Sequence, residues 1–354
     1  MNCKIITSLN YKKLFKEKKY QYIIFDINSL TIVPFLNSNK YESHDHINIT
    51  PLIETFKLFI TYKKYFPDSH FIFVFDGGIS PIITNICPKY KTGRNSRRFR
   101  GEARSINISK NVYNYNILLL NKLFGLFGET AIFDIVRNEA DFIIGYLVNE
   151  LSKNDRCLVI SHDKDLLLTY NKNNNVDVIY KQIGKKNTKV TYYFIDNFDC
   201  LLEIIGFNYL KNTNEFLFYK ALLGDQSDKI PKPFGIKSKK IVTNMFEKTF
   251  IENINITYDY IIEYFKIKFK KLNPQVIDNF IKDFRRNLLI MNIFSDNIIN
   301  DNDKIKLNSY INDIKYGLNS TISINSIYDF FEEYGLYLTK KDLDNTFNYL
   351  KGLK

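Results

Sequence analysis

The chain has 354 residues, of which 45% are hydrophobic, and its formal net charge is +12 at pH 7. This length and composition suit one large domain or two ordinary domains with a substantial core. No stretch reaches 18 consecutive apolar residues, and the N-terminus turns basic too early for a signal peptide, so neither a transmembrane helix nor secretion is expected. A soluble protein this basic usually binds a polyanion, and nucleic acid and an anionic membrane are the two candidates.

The first half of the chain alternates short apolar runs with helical patterns. Nearly continuous apolar runs indicate strands that are buried on both faces, as in a parallel sheet. The predicted strands are Tyr22–Ile27, Phe71–Phe75, Ala131–Ile135, Cys157–Ile160 and, less clearly, Val176–Tyr180. The helices predicted between them are Pro51–Tyr65, about Ala103–Phe127, and Glu139–Leu151. The fold class is therefore α/β, with a mostly parallel central sheet flanked by helices.

The second half, after about Tyr193, is mostly helical in pattern. We expect a boundary near Asn212 that divides an α/β domain, residues 1–212, from a helical region, residues 213–354. The segment Asn300–Asp303 is typical of a connector. The helices predicted here are Glu215–Leu223, Ile236–Phe246, Tyr258–Lys271, Pro274–Ile293, and two shorter ones around Ser326–Tyr334 and Lys341–Leu350.

Acidic residues recur where the predicted strands end. Asp26 and Asp76 each end a strand, and the strand Cys157–Ile160 leads directly into Asp163 and Asp165. Because the carboxyl ends of parallel strands meet at one edge of the sheet, these carboxylates should converge there. Glu139 and Asp141 open the helix after the next strand, and Asp228 follows in the second half.

Seven converging carboxylates would repel one another strongly unless cations compensate them. Magnesium binds through a few carboxylates and retains several waters, so a pocket rich in carboxylates suits it. Two such ions about 4 Å apart can activate a water and stabilise the leaving oxygen of a phosphodiester. A single Asp at a strand end is more often a turn or cap residue, and Asp163 alone could have that role.

A basic stretch precedes the long predicted helix. It contains seven basic residues and one acid between Lys89 and Arg104, with aromatic rings interleaved. Cations for phosphates and rings for bases are the ingredients of a single-strand channel, although a solvated basic loop has the same composition. The residues expected to bind nucleic acid here are Lys89, Tyr90, Arg97, Arg98 and Arg100.

A second basic stretch follows the sequence Gly-Asp-Gln-Ser-Asp at 224–228 and joins two predicted helices. A helix–turn–helix hairpin with basic flanks can grip a duplex backbone through amides and lysines. An ordinary turn between helices is the alternative. The lysines expected to contact the duplex are Lys232, Lys237, Lys239 and Lys240, and Asp225 is a further acidic candidate.

Taken together, this ordered series resembles the flap-endonuclease and 5′-3′ exonuclease superfamily, and is closest to its phage-encoded ribonuclease H branch. The resemblance implies a PIN-like sheet with two metal positions, a helical arch at about 85–128, and a helix–three-turn–helix element at about 213–248. One metal neighbourhood would comprise Asp26, Asp76, Glu139 and Asp141. The other would comprise Asp163, Asp165 and Asp228, with sharing between the two.

The same resemblance implies that Lys91 and Arg94 are arch residues that contact the scissile phosphate. Two positions depart from the family pattern. Phe142 stands where many bacterial and phage members have a further Asp, and Gly235 alone remains of the usual hairpin glycines. Because of the second departure, we expect the duplex to be bound mainly by the charge of lysine side chains and less by backbone amides.

The expected function is hydrolysis of phosphodiester bonds near 5′ ends of flaps, nicks or RNA primers, with two Mg²⁺ ions, for which Mn²⁺ can substitute. The expected partner is such DNA, with replication proteins as further candidates, and we expect a monomer in the cytoplasm, or in the host cytoplasm if the gene is a phage's. Three alternatives remain open: a PIN-type ribonuclease that cuts single-stranded RNA, a non-catalytic DNA-binding module, and a membrane-surface protein. The last fits least, because the basic residues do not follow one amphipathic helix.

Overall fold

A computed structural model of the chain describes residues 4–6, 18–37, 40–92, 103–171, 175–183, 190–270, 273–316 and 324–336. Within these ranges no helix combines the length and the apolar character that a membrane crossing requires. The predicted helix Lys341–Leu350 and the basic residues Arg94, Arg97, Arg98 and Arg100 lie outside the described residues.

The described strands form one seven-stranded sheet with the order β1-β7-β6-β5-β2-β3-β4. They are β1 (Lys4–Ile6), β2 (Tyr22–Asp26), β3 (His70–Val74), β4 (Thr130–Ile132), β5 (Cys157–Ser161), β6 (Val176–Ile183) and β7 (Val190–Ile195). Strands β2 to β6 pair in parallel, whereas β7 pairs antiparallel with β6 and β1 antiparallel with β7. The predicted mostly parallel sheet is confirmed, and the two antiparallel strands on one side of it, β7 and the edge strand β1, were not predicted.

Helices cover both faces of this sheet. They are α1 (Ile27–Asn37), α2 (Thr50–Tyr65), α3 (Pro81–Ile86), α4 (Ala103–Leu126), α5 (Ala140–Leu151), α6 (Phe198–Ile205), α7 (Thr213–Leu223), α8 (Lys239–Ile251), α9 (Tyr258–Phe269), α10 (Pro274–Met291), α11 (Asp301–Tyr316) and α12 (Ile324–Glu333). Two 3₁₀ turns, Asp165–Thr169 and Asp296–Ile298, complete the described elements. Helices α1, α2, α4 and α12 pack on one face, and α5 with the later helices up to α11 pack on the other.

The apolar strands are explained by this layering. On β2, Ile23 and Phe25 lie in the core beneath α2 and α4, whereas Tyr22 and Ile24 lie in the core beneath α5. Because both faces are covered, both sets of alternating side chains must be apolar, which gives a continuous run in place of an alternating one.

One hydrophobic core crosses the expected boundary near Asn212. Ile24 and Val159 of the sheet belong to the same buried cluster as Phe216 and Ile314 of the helical half. Helix α12 packs back against the first half of the chain, and the ring centroid of Phe331 in α12 lies 5.6 Å from that of Phe56 in α2. The division at residue 212 stays a prediction, and the two parts share their packing.

Two predicted features of the second half are wrong. Asn300–Asp303 is not a connector, because the side chain of Asn300 accepts a hydrogen bond of 2.9 Å from the backbone N–H of Asp303 and helix α11 begins at Asp301. Helix α8 begins at Lys239, three residues after the predicted Ile236, since Ser238 is still extended.

In the first half, helix α1, which contains Pro34, was not predicted.

Phe124 anchors α4 to the sheet, and its removal should be costly. Its ring is fully buried and stacks on Phe73 of β3 with 3.5 Å between ring centroids. Replacement of Phe124 by alanine should lower the free energy of unfolding by about 3–5 kcal/mol, measured by urea denaturation. Leu118→Ala on the same helix is the control, because Leu118 is 48% exposed, and equal losses in the two variants would contradict the packing described.

Candidate metal centre

The carboxyl edge of the sheet collects acidic side chains from neighbouring strands. Asp26 ends β2, Asp76 follows β3 by two residues, and Asp163 follows β5 by two residues. Strands β3, β2 and β5 are adjacent in the sheet, so their ends meet. Glu139 and Asp141 flank the first residue of α5. These elements enclose a cleft lined by Asp26, Asn28, Ser29, Asp76, Lys91, Glu139, Ala140, Asp141 and Asp163.

Three of the acids form a group that is compact enough to hold a metal ion. Asp141, Asp163 and Asp165 each place one carboxylate oxygen within 4.8 Å of the others. Asp141 lies in the first turn of α5, and Asp165 begins the 3₁₀ turn that follows β5. The family resemblance grouped Asp141 with Asp26, Asp76 and Glu139, with sharing between the two groups, and in the structure Asp141 lies beside Asp163 and Asp165. Asp141 therefore borders both predicted neighbourhoods.

Two serines fix the buried carboxylate of Asp26 relative to Asp163. The hydroxyl of Ser161 donates to Asp26 Oδ2 over 2.7 Å and accepts the backbone N–H of Asp163 over 2.9 Å. The backbone N–H of Ser29 donates to Asp26 Oδ1, and the hydroxyls of Ser29 and Ser161 lie 3.2 Å apart. Neither serine was predicted as a site residue, although Ser161 opens the Ser-x-Asp-x-Asp motif and Ser29 follows Asp26 closely.

Asn28 holds the backbone at Asp76 and was also missed. Its side-chain oxygen accepts the N–H of Asp76 over 2.8 Å, and the carboxylate of Asp76 accepts the N–H of Gly78 over 3.0 Å. The first turn of α1 therefore supplies two supports to the site, one at Asp26 through Ser29 and one at Asp76 through Asn28.

Lys91 is the cation at the centre of the cleft. Its ammonium group donates to Glu139 Oε1 in a very short contact and lies 3.5 Å from Asp228 Oδ2. Its backbone N–H also donates to the carbonyl of Asp228 over 2.9 Å. Lys91 thus joins the acidic first half to the turn at 225–230.

Tyr90 does not offer its ring for stacking on a base. The residue is 5% exposed, its ring belongs to the hydrophobic core, and its hydroxyl donates to Glu139 Oε2 over 2.8 Å. The prediction that Tyr90 contacts nucleic acid is wrong for this structure, because the side chain is committed to the core and to Glu139. Lys89, next to it, is exposed.

Asp225 and Asp228 have different surroundings in the turn that links α7 to α8. The carboxylate of Asp225 accepts hydrogen bonds from the N–H and hydroxyl of Ser227, and it stabilises the turn that presents Asp228. Burial opposes ionisation of Asp225, but these hydrogen bonds lower its pKa. Asp228 is 8% exposed and faces Lys91. Lys220 of α7, which the sequence did not single out, forms a very short ion pair with Asp165.

Burial and mutual repulsion disfavour the ionised carboxylates. Burial, followed by the charges of Asp163 and Asp26, raises the pKa of Asp141 well above its ordinary value. Burial and the neighbouring Asp165 raise the pKa of Asp163 to about 6. Burial also raises the pKa of Asp26, and it raises that of Glu139 despite the opposing effect of Lys91. The two lysines in contact with the acids therefore leave negative charge uncompensated.

This donor set fits a hard divalent cation. The described lining of the cleft offers carboxylate, hydroxyl and amide oxygens, with neither imidazole nor thiol among its members. Oxygen ligands of this kind suit Mg²⁺ and Mn²⁺, and a bound cation would offset both the burial and the mutual repulsion that raise the pKa values of the carboxylates.

The basic residues of the link between α7 and α8 lie at the surface. Lys237, Lys239 and Lys240 are exposed, and Lys232 is half-buried. Gly235 has a φ of +86°, and a Cβ there would lie 2.7 Å from the ring of Phe269, so this position requires glycine. The helix–three-turn–helix assignment stays a prediction.

Comparison with known proteins gives relatives with consistent names. No family model matches the chain. A 5′-3′ exonuclease of Buchnera aphidicola from Acyrthosiphon pisum is 28% identical over 200 residues, which cover 54% of this chain and 58% of that relative. A second 5′-3′ exonuclease, from the Buchnera aphidicola of Schizaphis graminum, is 26% identical over 255 residues, 71% of this chain and 76% of the relative.

Solved structures give the same result for the fold. A bacteriophage T5 5′-exonuclease with bound divalent metal ions (zinc) superposes with a TM-score of 0.60 at 17% identity, covering 83% of this chain and 98% of that one. A T5 flap endonuclease in a complex with DNA and metal ions gives 0.59 at 17% identity, covering 84% and 99%. The fold is that of the 5′ nucleases. Together with the relatives, it confirms the resemblance to the flap-endonuclease and 5′-3′ exonuclease superfamily.

The raised pKa of Asp163 predicts how the metal-free protein responds to pH. The folded protein holds the carboxyl proton of Asp163 more tightly than the unfolded chain does, so ionisation of this group destabilises the fold. The destabilisation is fully present above pH 6 and decreases as the pH falls through 6. In a chelator, Asp163→Asn should therefore raise the urea midpoint at pH 7.5, with a smaller gain at pH 5.

The control for this prediction is Asp301→Asn. The side chain of Asp301 is 95% exposed, so the midpoint of this variant should follow the wild type at both pH values. A midpoint of Asp163→Asn below that of the wild type at both pH values would show that the carboxylate supports the fold.

Proposed function

We propose that this chain is a magnesium-dependent 5′-3′ nuclease that hydrolyses phosphodiester bonds near the 5′ ends of flaps, nicks or RNA primers. The observation that carries the proposal is the cluster of Asp141, Asp163 and Asp165, whose oxygens approach within 4.8 Å of one another beside the buried Asp26. A protein gains nothing in stability from such a cluster, so its chemistry is the reason to hold it together.

The residues that would hold metal are the acids of the cleft. The compact group is formed by Asp141, Asp163 and Asp165, and the acids that border it in the cleft are Asp26, Asp76 and Glu139. Asp228 is linked to these acids by the ammonium group of Lys91. Two Mg²⁺ ions bound here would activate a water and stabilise the leaving oxygen of a phosphodiester. Hydrogen bonds from Ser161 and Ser29 already hold the carboxylate of Asp26 in place, so this ligand would need little rearrangement when metal binds.

Lys91 has two roles in this proposal. Its ammonium group neutralises Glu139, and this ion pair holds the side chain inside the cleft. Burial opposes its charge, yet the neighbouring carboxylate of Glu139 raises the pKa of Lys91 well above the ordinary value, so it stays protonated. A cation fixed there can bind the scissile phosphate, and Arg94 would assist it.

DNA is the proposed partner. The net charge of +12 favours a polyanion, and Lys237, Lys239 and Lys240 are exposed on the link after the acidic turn. The superposed T5 flap endonuclease contains DNA and metal ions, which supports the same class of substrate here. We further propose that the protein acts as a monomer in the cytoplasm and works beside replication proteins.

Labelled 5′-flap, nicked and single-stranded substrates, incubated with and without Mg²⁺, test this function. The wild type should cut flap and nick only with Mg²⁺ or Mn²⁺. Asp163→Asn combined with Asp165→Asn should abolish cutting and retain substrate binding, because the carboxylates that repel phosphates are then neutral amides. Full activity in excess chelator would contradict the metal mechanism, and preference for single-stranded RNA without a duplex would indicate a PIN-type ribonuclease.

The lysines of the link should bind the duplex by charge. Removal of one lysine–phosphate interaction changes the slope of log affinity against log salt by about 0.9, so Lys232→Ala with Lys237→Ala should flatten the slope by up to about 2. Cleavage of a saturated substrate should change little.

A matched control for the link is Lys153→Ala with Lys315→Ala, which removes two exposed lysines, one just after α5 and one in α11. Its salt slope should equal that of the wild type. If the two double variants behave alike, the duplex is held elsewhere.

A further inference from the structure

Asp303 is a buried acid outside the metal cleft. It lies in the first turn of α11 and is 7% exposed. Its Oδ2 accepts hydrogen bonds from the side-chain amides of Asn138, over 2.6 Å, and Asn300, over 2.5 Å. A buried carboxylate costs free energy unless its partners are well placed, so these bonds define a fixed arrangement.

Asn138 connects Asp303 to both edges of the cleft. It directly precedes Glu139, and its backbone carbonyl accepts the N–H of Gly77, over 2.9 Å, next to Asp76. The carbonyl of Gly77 in turn accepts the N–H of Arg137 over 2.7 Å. The loop after β3 and the loop before α5 are therefore joined by two backbone hydrogen bonds.

Gly77 makes this close approach possible. A Cβ at this position would lie 1.9 Å from the carbonyl oxygen of Ile135, which real atoms do not tolerate. The backbones of the two loops therefore pack directly against each other at Gly77, with no room for a side chain between them.

A second link reaches the same loops from the segment before α11. The hydroxyl of Ser80, which is 2% exposed, donates to the carbonyl of Ile298 over 3.0 Å. The segment 298–303 therefore holds the loop of Asp76 through Ser80 and the loop of Glu139 through Asn138. None of Ser80, Asn138 or Asp303 lines the cleft itself.

We propose that Asp303 is a positioning residue, and that the segment 298–303 sets the spacing of Asp76 and Glu139 and so the affinity of the site for divalent metal. This inference rests on the proposed function only in requiring that the cleft binds metal. The carboxylates repel one another, so they hold their positions only where the loops beneath them are fixed. We use the term clamp for the contacts of the segment 298–303 with Ser80 and Asn138, which hold the two loops in that geometry. Mutation of residues that orient metal ligands commonly weakens metal binding by about 10–100-fold.

The test compares Asp303→Ala with Asp301→Ala on the same turn of α11. Both variants remove one acid from the helix N-terminus, but Asp301 is exposed and pairs with Lys304 of its own helix. Calorimetric titration with Mn²⁺, without DNA, should give about 10-fold weaker binding for Asp303→Ala and wild-type binding for Asp301→Ala. Asp303→Asn keeps an acceptor oxygen for Asn138 and should restore most of the affinity.

Two further variants keep the test decisive if Asp303→Ala does not fold. Ser80→Ala and Asn138→Ala each remove one side-chain link, and each should weaken Mn²⁺ binding while far-UV circular dichroism stays native. Wild-type Mn²⁺ affinity in the folded variants would overturn the clamp and leave these residues as ordinary packing. If the wild type binds Mn²⁺ but cuts no substrate, the proposed function is wrong. The positioning role of Asp303 is then judged from the Mn²⁺ affinities of the variants alone.

Discussion

Repulsion among carboxylates that are buried together is the constraint on which this molecule depends. Asp26, Asp141 and Asp163 all have raised pKa values, because burial and their neighbours disfavour their charges. A parallel sheet can hold them, since its strand ends are rigid and adjacent. The continuous apolar strands, covered by helices on both faces, supply that rigidity.

Each part of the chain near the cleft contributes a restraint or a counter-charge. Serine hydroxyls fix Asp26, the amide of Asn28 fixes Asp76, and Lys91 and Lys220 supply cations to Glu139 and Asp165. Lys220 comes from α7, so the helical half contributes a residue to the site. The shared core that crosses residue 212 places it there.

Catalysis by metal requires ligands that stay in place before the metal arrives. The segment 298–303 meets this requirement from outside the cleft, through Asn138 and Ser80. The same segment also begins helix α11. Asn300 caps α11 and also donates its side-chain amide to the buried carboxylate of Asp303, which accepts a second hydrogen bond from Asn138.

The sequence by itself determined the α/β class, the parallel strands and the strand-end acids, because continuous apolar runs and the residues that follow them are local features. It did not determine which carboxylates lie together, because Asp141 comes near Asp163 and Asp165 only through the packing of α5 against the 3₁₀ turn that follows β5. Tyr90, Lys220, Ser161 and Asp303 acquired their roles in the same way. Each depends on a partner distant along the chain, and such pairings arise from packing, which no local pattern records.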